Sequence, residues 1–504
     1  MIDYKKQLPS QTELDKLINY YQNNDYNEAE DLAKKISKNF PNHSLALKML
    51  ASIYGLTSRL SESLILYKRL IELFPNDHEV HFNMANALRR LGKLKEAEES
   101  YRISIKLNSK FVLAYNNLSI TLRELGNLND AEENSRKAIK LNPNHAFAYN
   151  NLAIILLKQG RLEESENCCK DAIKLNPNLA ESYNNLGNAQ KNGGKLEEAI
   201  SSFKQAIKIE PGFFLALHNI GATLQDQGKL SEAEPYYKKA IELEPNYSET
   251  YKNLGSLMHR LRKYSDAEFY YKKAIELKSD DLDTQHLLSA LTGVTTKTAP
   301  KTYIQNLFDN YANIFDKSLV DELQYNVPKI VSKLITNNFQ NKSIGSVLDL
   351  GCGTGLFGEE IHHYCKYLEG VDLSNLMLNI AKEKNVYNKL SAKDILDYLN
   401  SKKLDFDYFV FLDVFIYLGD LDDVFKLIYL QNKSSGKLVF TTENNKKENY
   451  FLEESGRYSH SKSYIEMLCN KYNYDICHYE NIKLRKESND IINGGLYILE
   501  FSKN

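Results

Sequence analysis

The stretch Val347–Gly355, VLDLGCGTG, decides how the second half of this chain folds. Apolar residues lead into Asp349, after which glycine recurs at 351, 353 and 355. Such a run reads as a buried strand of a parallel sheet that ends in a tight glycine turn and passes into a helix. Glycine lets the backbone come within contact distance of a flat or charged ligand, and the helix start offers free N–H groups. A dinucleotide fingerprint would place another glycine three residues after the second, where Leu356 stands.

Downstream of this turn, strand and helix signals alternate, which predicts a doubly wound sheet. Strands are expected at Ser346–Asp349, Leu368–Val371, Lys389–Ala392, Phe406–Leu412 and Lys437–Thr442, then Tyr474–Ile482 and Leu496–Phe501. The last two read as an antiparallel hairpin running past Gly494–Gly495 at one edge. Open α/β sheets bind ligands at the carboxyl ends of their strands. Asp372 follows the second strand in LEGVDLS, where a carboxylate accepts hydrogen bonds from both hydroxyls of a ribose. A lone aspartate here could cap the helix at Leu376–Lys384, a reading that the glycine pattern at 349–355 disfavours.

The pattern D-x-G-x-G-x-G at 349–355 resembles motif I of the class I S-adenosylmethionine-dependent methyltransferases. The resemblance implies a Rossmann-like, seven-stranded α/β domain over 301–504 with S-adenosylmethionine as cofactor. Asp349 would orient the turn Gly351-Cys352-Gly353-Thr354-Gly355 and the cofactor's polar end. Asp372 and Leu373 would face the ribose, Asp394 and Ile395 the adenine, and Asp413 the methionine portion. Upstream, the phrase LFDNYANIFD is familiar from such enzymes, where a tyrosine in Tyr311's place closes over the methionine end. An N-terminal cap packed on the sheet explains that helix equally well. QHLLSALTG, ELQYNVP, DVFIYLGDL, GRYSHSKSYI and LRKESNDIINGGLYIL extend the likeness to a bacterial group of tetratricopeptide-repeat methyltransferases.

The first half is self-similar. Proline falls at 41, 75, 143, 177, 211 and 245 on one 34-residue grid, and glycine at 92, 126, 160, 194 and 228. Each unit reads as helix, turn, helix, and a proline that stops the second helix. The units resemble tetratricopeptide repeats, eight of them over 9–280, followed by a capping helix and linker over 281–300. In the cap, Leu282, Leu287, Leu288 and Leu291 are expected to cover the last repeat's apolar face. Asn83, Asn117, Asn151, Asn185, Asn219 and Asn253 share one position of the first helix. Carboxamides in file can grip an extended peptide backbone, as in the asparagine ladder of O-linked N-acetylglucosamine transferases, which this arrangement resembles. They can also bond neighbouring repeats to one another.

A formal charge of -2 over 504 residues argues against a phosphate-backbone binder. Six scattered cysteines form no C-x-x-C pair, and no metal-ligand spacing appears. The N-terminus lacks the apolar core of a signal peptide and no run is long enough to span a membrane, so a cytoplasmic protein is expected. The leading functional reading is a methyltransferase whose repeats hold a protein or peptide in a concave groove. The alternatives are a cofactor-binding scaffold without turnover, and a small-molecule or glycan methyltransferase localised by its repeats. Should the acceptor arrive protonated, His460 in the loop YSHSKSY is the preferred base, with Tyr417, Glu443 and Tyr458 as further candidates.

Overall fold

A computed structural model describes residues 8–312, 315–337, 343–487 and 490–502. The chain divides into two compact units, Met1–Leu243 and Glu244–Asn504. Seven helix pairs run from Gln11 to Leu243 in the first unit, and an eighth, Ser248–Arg260 with Tyr264–Leu277, lies in the second.

The grid in the sequence has a local cause. The residue before each proline is driven to extended backbone, as at Asn142 (φ -139°), Asn176 (φ -138°) and Glu210 (φ -130°), so the second helix ends there. The glycines sit in the turn within each pair with positive φ, for example Gly126 (+82°) and Gly160 (+77°). Asn24 and Ser58 occupy the same grid point in the divergent repeats and are also left-handed, at +63° and +62°. Small residues let the two helices of a pair approach. Ala131, Ala138, Ala199 and Ala206 are fully buried, and a Cβ added to Gly187 would meet the Phe203 ring at 2.5 Å.

The asparagine file is built into the array itself. Asn117 Nδ2 donates to Asn86 Oδ1 (2.8 Å), Asn151 to Asn116 (2.8 Å), Asn185 to Asn150 (2.9 Å) and Asn219 to Asn184 (2.9 Å). Each bond crosses to the preceding repeat, so one N–H of each of these amides is engaged in joining repeats.

In the second unit the helix Leu282–Thr292 packs on Tyr264–Leu277; of the expected leucine stripe Leu282 is exposed and Leu287, Leu288 and Leu291 are half-buried. Its buried side chains are largely polar. Asp283 accepts hydrogen bonds from Thr302 and Asn306, and the imidazole Nε2 of His286 lies 3.0 Å from the Gly456 carbonyl. The sheet comprises β1 (Ser346–Leu350), β2 (Tyr367–Asp372), β3 (Lys389–Ala392), β4 (Tyr408–Phe411), β5 (Gly436–Asn444), β6 (Tyr450–Leu452), β7 (Tyr458–His460), β8 (Tyr474–Glu487) and β9 (Asp490–Phe501). The order β3-β2-β1-β4-β5 is parallel, and β9 and then β8 continue it antiparallel. This is a class I methyltransferase arrangement, with the strand order reversing between β1 and β4.

Two details differ from the sequence reading. Tyr458–His460 forms β7 on the end of β5 instead of a loop, and β6 pairs with it. Gly494 and Gly495 lie inside β9, where a Cβ on Gly494 would meet the Thr442 carbonyl oxygen at 2.1 Å. They permit close strand approach in a strand that starts earlier than expected, and the expected antiparallel pairing of the last two strands is present. The sheet's two faces are filled by Phe409, Phe411, Phe425, Phe440 and Phe501 on one side and by Val331, Phe357, Val410 and Val439 on the other.

Ser58 holds a left-handed conformation that costs a Cβ-bearing residue roughly 1–2 kcal/mol. Ser58→Gly is therefore expected to stabilise the repeats, by about 1 kcal/mol after glycine's own entropic cost, read as a higher midpoint in thermal or urea unfolding.

Candidate active site

The turn after β1 is fastened to the end of β2. Gly351 N–H and Cys352 N–H donate to the Val371 carbonyl (2.8 and 3.1 Å), and Gly353 N–H donates to Asp372 Oδ2 (2.8 Å). Gly351, Gly353 and Gly355 all have positive φ, and a Cβ on Gly353 would meet only Phe315, at 3.9 Å. The other oxygen of Asp372 accepts from Ser374 N–H (2.9 Å), but Ser374 is the residue that caps the next helix. Asp372 thus braces the turn and is not the helix cap. An ionised carboxylate has about four lone-pair sites, so these amides do not exhaust it and a ligand can still donate to it.

A cavity of about 460 Å³ opens at this edge of the sheet. Asp349, Gly351, Cys352, Gly353, Thr354, Asp372, Leu373, Asp394, Ile395 and Asp413 line it, together with Tyr311 and Tyr417. Gly355 sits at the helix start behind them, its Cα backed by Tyr387 and Ala381. A helix at Lys301–Tyr311 and the following Phe315–Glu322 segment roof the cavity with Ile304, Leu307, Phe308, Phe315 and Leu319. Polar bonds pin this roof: Asp309 accepts from Ser374, Asp316 from Thr354 and from Lys384 (2.7 Å), and Lys301 pairs with Asp394 (3.3 Å) and Asp397 (2.7 Å).

Each acid at a strand end has a definite environment. Asp349 is 2% exposed and accepts from Tyr387 O–H (2.6 Å). Burial pushes its carboxyl up to about 7, with Asp372 adding to the rise and the Tyr387 bond opposing it. Burial also raises Asp372, against three backbone N–H groups. Asp394 caps the helix Ile395–Asn400 through Asp397 N–H (3.1 Å). Asp413 holds φ +56°, donates its own N–H to Thr441 Oγ1 (2.9 Å), and accepts from Arg485 Nη1 (2.8 Å).

His460 does not reach the cavity. It is fully buried, stacks on Tyr464, and lies with Nε2 2.9 Å from the Gly419 carbonyl, and burial drives its imidazole down to about 4. A neutral ring held against a carbonyl is no base for a substrate across the sheet. Tyr417 does reach the cavity, edge-on to Phe308 at 5.4 Å, but burial raises its phenol and keeps it protonated. Glu443 is bonded to Arg485 and paired with Arg457 (3.2 Å), and Tyr458 is buried against Thr296.

Several lining residues escaped the sequence reading. Arg457 and Arg485 both face the cavity, and Arg485 is 4% exposed, bridging Asp413 and Glu443. Burial alone would lower the Arg485 guanidinium, but its two carboxylates outweigh that and raise it. Both arginines stand in stretches that carry the family likeness, GRYSHSKSYI and LRKESNDIINGGLYIL, yet nothing in their spacing distinguishes them from surface arginines. Tyr387 lies outside every quoted motif. Among the described residues no group of three His, Cys, Asp or Glu could hold a metal ion, and no helix is long and apolar enough to cross a membrane.

The family described as Methyltransferase domain matches residues 341–492, and Tetratricopeptide repeat families match 14–78, 66–99, 112–145, 144–210 and 213–280. The chain carries tetratricopeptide repeats and a methyltransferase domain. Over 177 residues, 34% of this chain and 61% of the other, it is 29% identical to the malonyl-[acyl-carrier protein] O-methyltransferase of Priestia megaterium. Over 48 residues, 10% of this chain and 17% of the other, it is 46% identical to the uncharacterized methyltransferase C1347.09 of Schizosaccharomyces pombe. The chain thus spans less than two thirds of the length of either relative. The crystal structure of the APC/C hetero-tetramer Cut9–Hcn1 aligns over 57% of each chain at 14% identity and a TM-score of 0.44, a likeness too loose to argue from.

The raised Asp349 carboxyl has a consequence for the methyltransferase domain. A folded-state value near 7 against an ordinary 3.8 means that the folded form keeps a proton the unfolded form has lost. That contribution to stability is whole below about pH 4 and is lost as pH rises through about 7. Asp349→Asn cannot charge and can still accept from Tyr387. Ligand-free Asp349→Asn is expected to melt above the wild type at pH 8 and level with it at pH 4, measured by calorimetry across that range.

Proposed function

We propose that this chain is an S-adenosylmethionine-dependent methyltransferase whose repeats recruit a protein or peptide partner. The observation that carries the reading is the convergence of Asp349, Asp372, Asp394 and Asp413 with the open Gly353 turn on one cavity. Asp372 would take the ribose hydroxyls, Asp394 and Ile395 the adenine, and Asp349 and the turn the polar end. Asp413 and Tyr311 would border the methionine portion. The cofactor supplies a methyl group on a sulfonium with a good leaving group, so the protein's share of the work is alignment and exclusion of water. The roof of Ile304, Leu307 and Phe308 suits the second task.

Partner recruitment draws its support from the repeats. Asn117, Asn151, Asn185 and Asn219 each give one N–H to the preceding repeat, and a carboxamide keeps a second donor for a peptide backbone. Asn83 and Asn253 continue the file at its two ends. The lattice of amide bonds would hold the file straight before any peptide arrives.

S-Adenosylhomocysteine binding only the folded form must raise the melting temperature. A saturating concentration is expected to shift the full-length protein upward by several degrees, and Asp372→Ala to abolish the shift. An unchanged shift in that variant contradicts the site.

A further inference from the structure

We propose that the partner held by the repeats is an extended peptide gripped by an acidic side chain, whose carboxylate meets Arg123 and Lys158; this rests on the partner-recruiting reading above. The surface is formed by the first helices of successive repeats, His78–Arg90, Val112–Glu124, Ala146–Lys158, Ala180–Asn192 and Phe214–Asp226. Neighbouring first helices pack on one another more closely than neighbouring second helices do, so they line the inner side of the curve in this unit.

The ends of these helices carry cations on the 34-residue grid, and two of those cations are neutralised by an acid in the next repeat. Arg89 Nη1 donates to Glu124 (3.0 Å), and Lys191 Nζ lies 3.1 Å from Asp226. In both cases the acid stands 35 residues after the cation. Arg123 breaks the pattern, because the residue 35 places after it is Lys158, a second cation. Glu124 and Asp226 are engaged by the flanking repeats, and among the described residues neither Arg123 nor Lys158 has a carboxylate partner. Lys158 is exposed. Arg123 is half-buried, and its Nη1 is closed off from water with no hydrogen-bond partner. Burial lowers this guanidinium from its ordinary value, with Glu124 opposing and Arg89 adding to the fall. A cation that has lost part of its hydration and has no counter-ion gains more from an arriving carboxylate than a fully solvated one does.

The asparagine file decides where on the peptide that carboxylate sits. Asn117, Asn151, Asn185 and Asn219 run past Arg123 into the following repeats, and each keeps a spare donor. A backbone bound along the file therefore passes Arg123 and does not end there, so the acid is a side chain and not a chain terminus. Ile120, one turn before Arg123, and Ile154, one turn before Lys158, are half-buried on the same helices, so apolar residues flank the acid.

The test passes random peptides of about ten residues, roughly 33 Å when extended, over the immobilised full-length protein, each displayed between fixed flanks so that no free terminus is offered. Retained peptides are expected to be enriched in Glu or Asp with Val, Ile or Leu nearby. An end-capped synthetic copy of the most enriched peptide should bind about tenfold more tightly, or better, than the same peptide with Gln for its acid. Lys158→Glu gives Arg123 the partner that Arg89 has in Glu124, so it should leave the melting temperature no lower and erase that preference; Arg123→Gln should erase it too. Enrichment without acids, a preference that survives in Lys158→Glu, or capture only from a parallel library with free carboxyl ends overturns the proposal. If peptides without acids are retained and then lost in Asn185→Ala, the amide file still holds a backbone and only the acid is wrong. If no peptide is retained, the partner reading falls together with the proposal.

Discussion

Three consecutive amides of the turn after β1 point at the end of β2, two at the Val371 carbonyl and one at Asp372. Everything at the candidate site depends on this fastening. It brings the glycine backbone alongside a buried carboxylate, and it opens the crevice where the strand order reverses. Without glycine at 351, which has φ +79°, an added Cβ would lie 2.4 Å from a Val414 methyl, and the turn or Val414 would have to shift. The sheet contributes the rest by ending each parallel strand at the same edge, so that acids far apart in sequence become neighbours.

Burial at that edge is expensive, and the domain offsets it by pairing. Tyr387 bonds Asp349, backbone amides bond Asp372, Lys301 pairs with Asp394 and Arg485 with Asp413. Removing one member of the buried Arg485–Asp413 pair strands the other, at a cost well above that of a surface ion pair such as Lys301–Asp394. Asp349 is the exception in kind. Burial raises its carboxyl to about 7, and its partner, a neutral phenol, only partly opposes that, while its neighbours meet cations or amides.

Much of this was legible in the sequence, for identifiable reasons. The 34-residue grid encodes local backbone facts, a proline that ends one helix and a turn residue at positive φ, so each repeat could be placed without knowledge of its neighbours. Motif I and the strand-end acids were legible because the parallel strands are short and their carboxyl ends fall at regular intervals. What failed depended on tertiary pairing. His460 looked like a loop residue because the three-residue β7 has no hydrophobic period long enough to detect. In the helix after the repeats the leucine pattern gave no sign that Asp283 and His286 are buried through partners at Thr302 and Gly456. Arg457 and Arg485 acquire their meaning only from the antiparallel strands that bring them beside Glu443. The asparagine file was visible as a pattern, while its bonds between repeats required coordinates.

The central claim is that one adenosyl sulfonium lies between the glycine turn and the four strand-end acids. A crystal structure of the full-length protein with S-adenosylhomocysteine tests it most directly. The account predicts ribose hydroxyls within hydrogen-bonding distance of Asp372, adenine beside Ile395, and the thioether sulfur facing the end of the cavity that holds Asp413 and Tyr417. Density for the nucleoside anywhere else, or a cavity filled by side chains with the ligand bound outside it, would contradict the account.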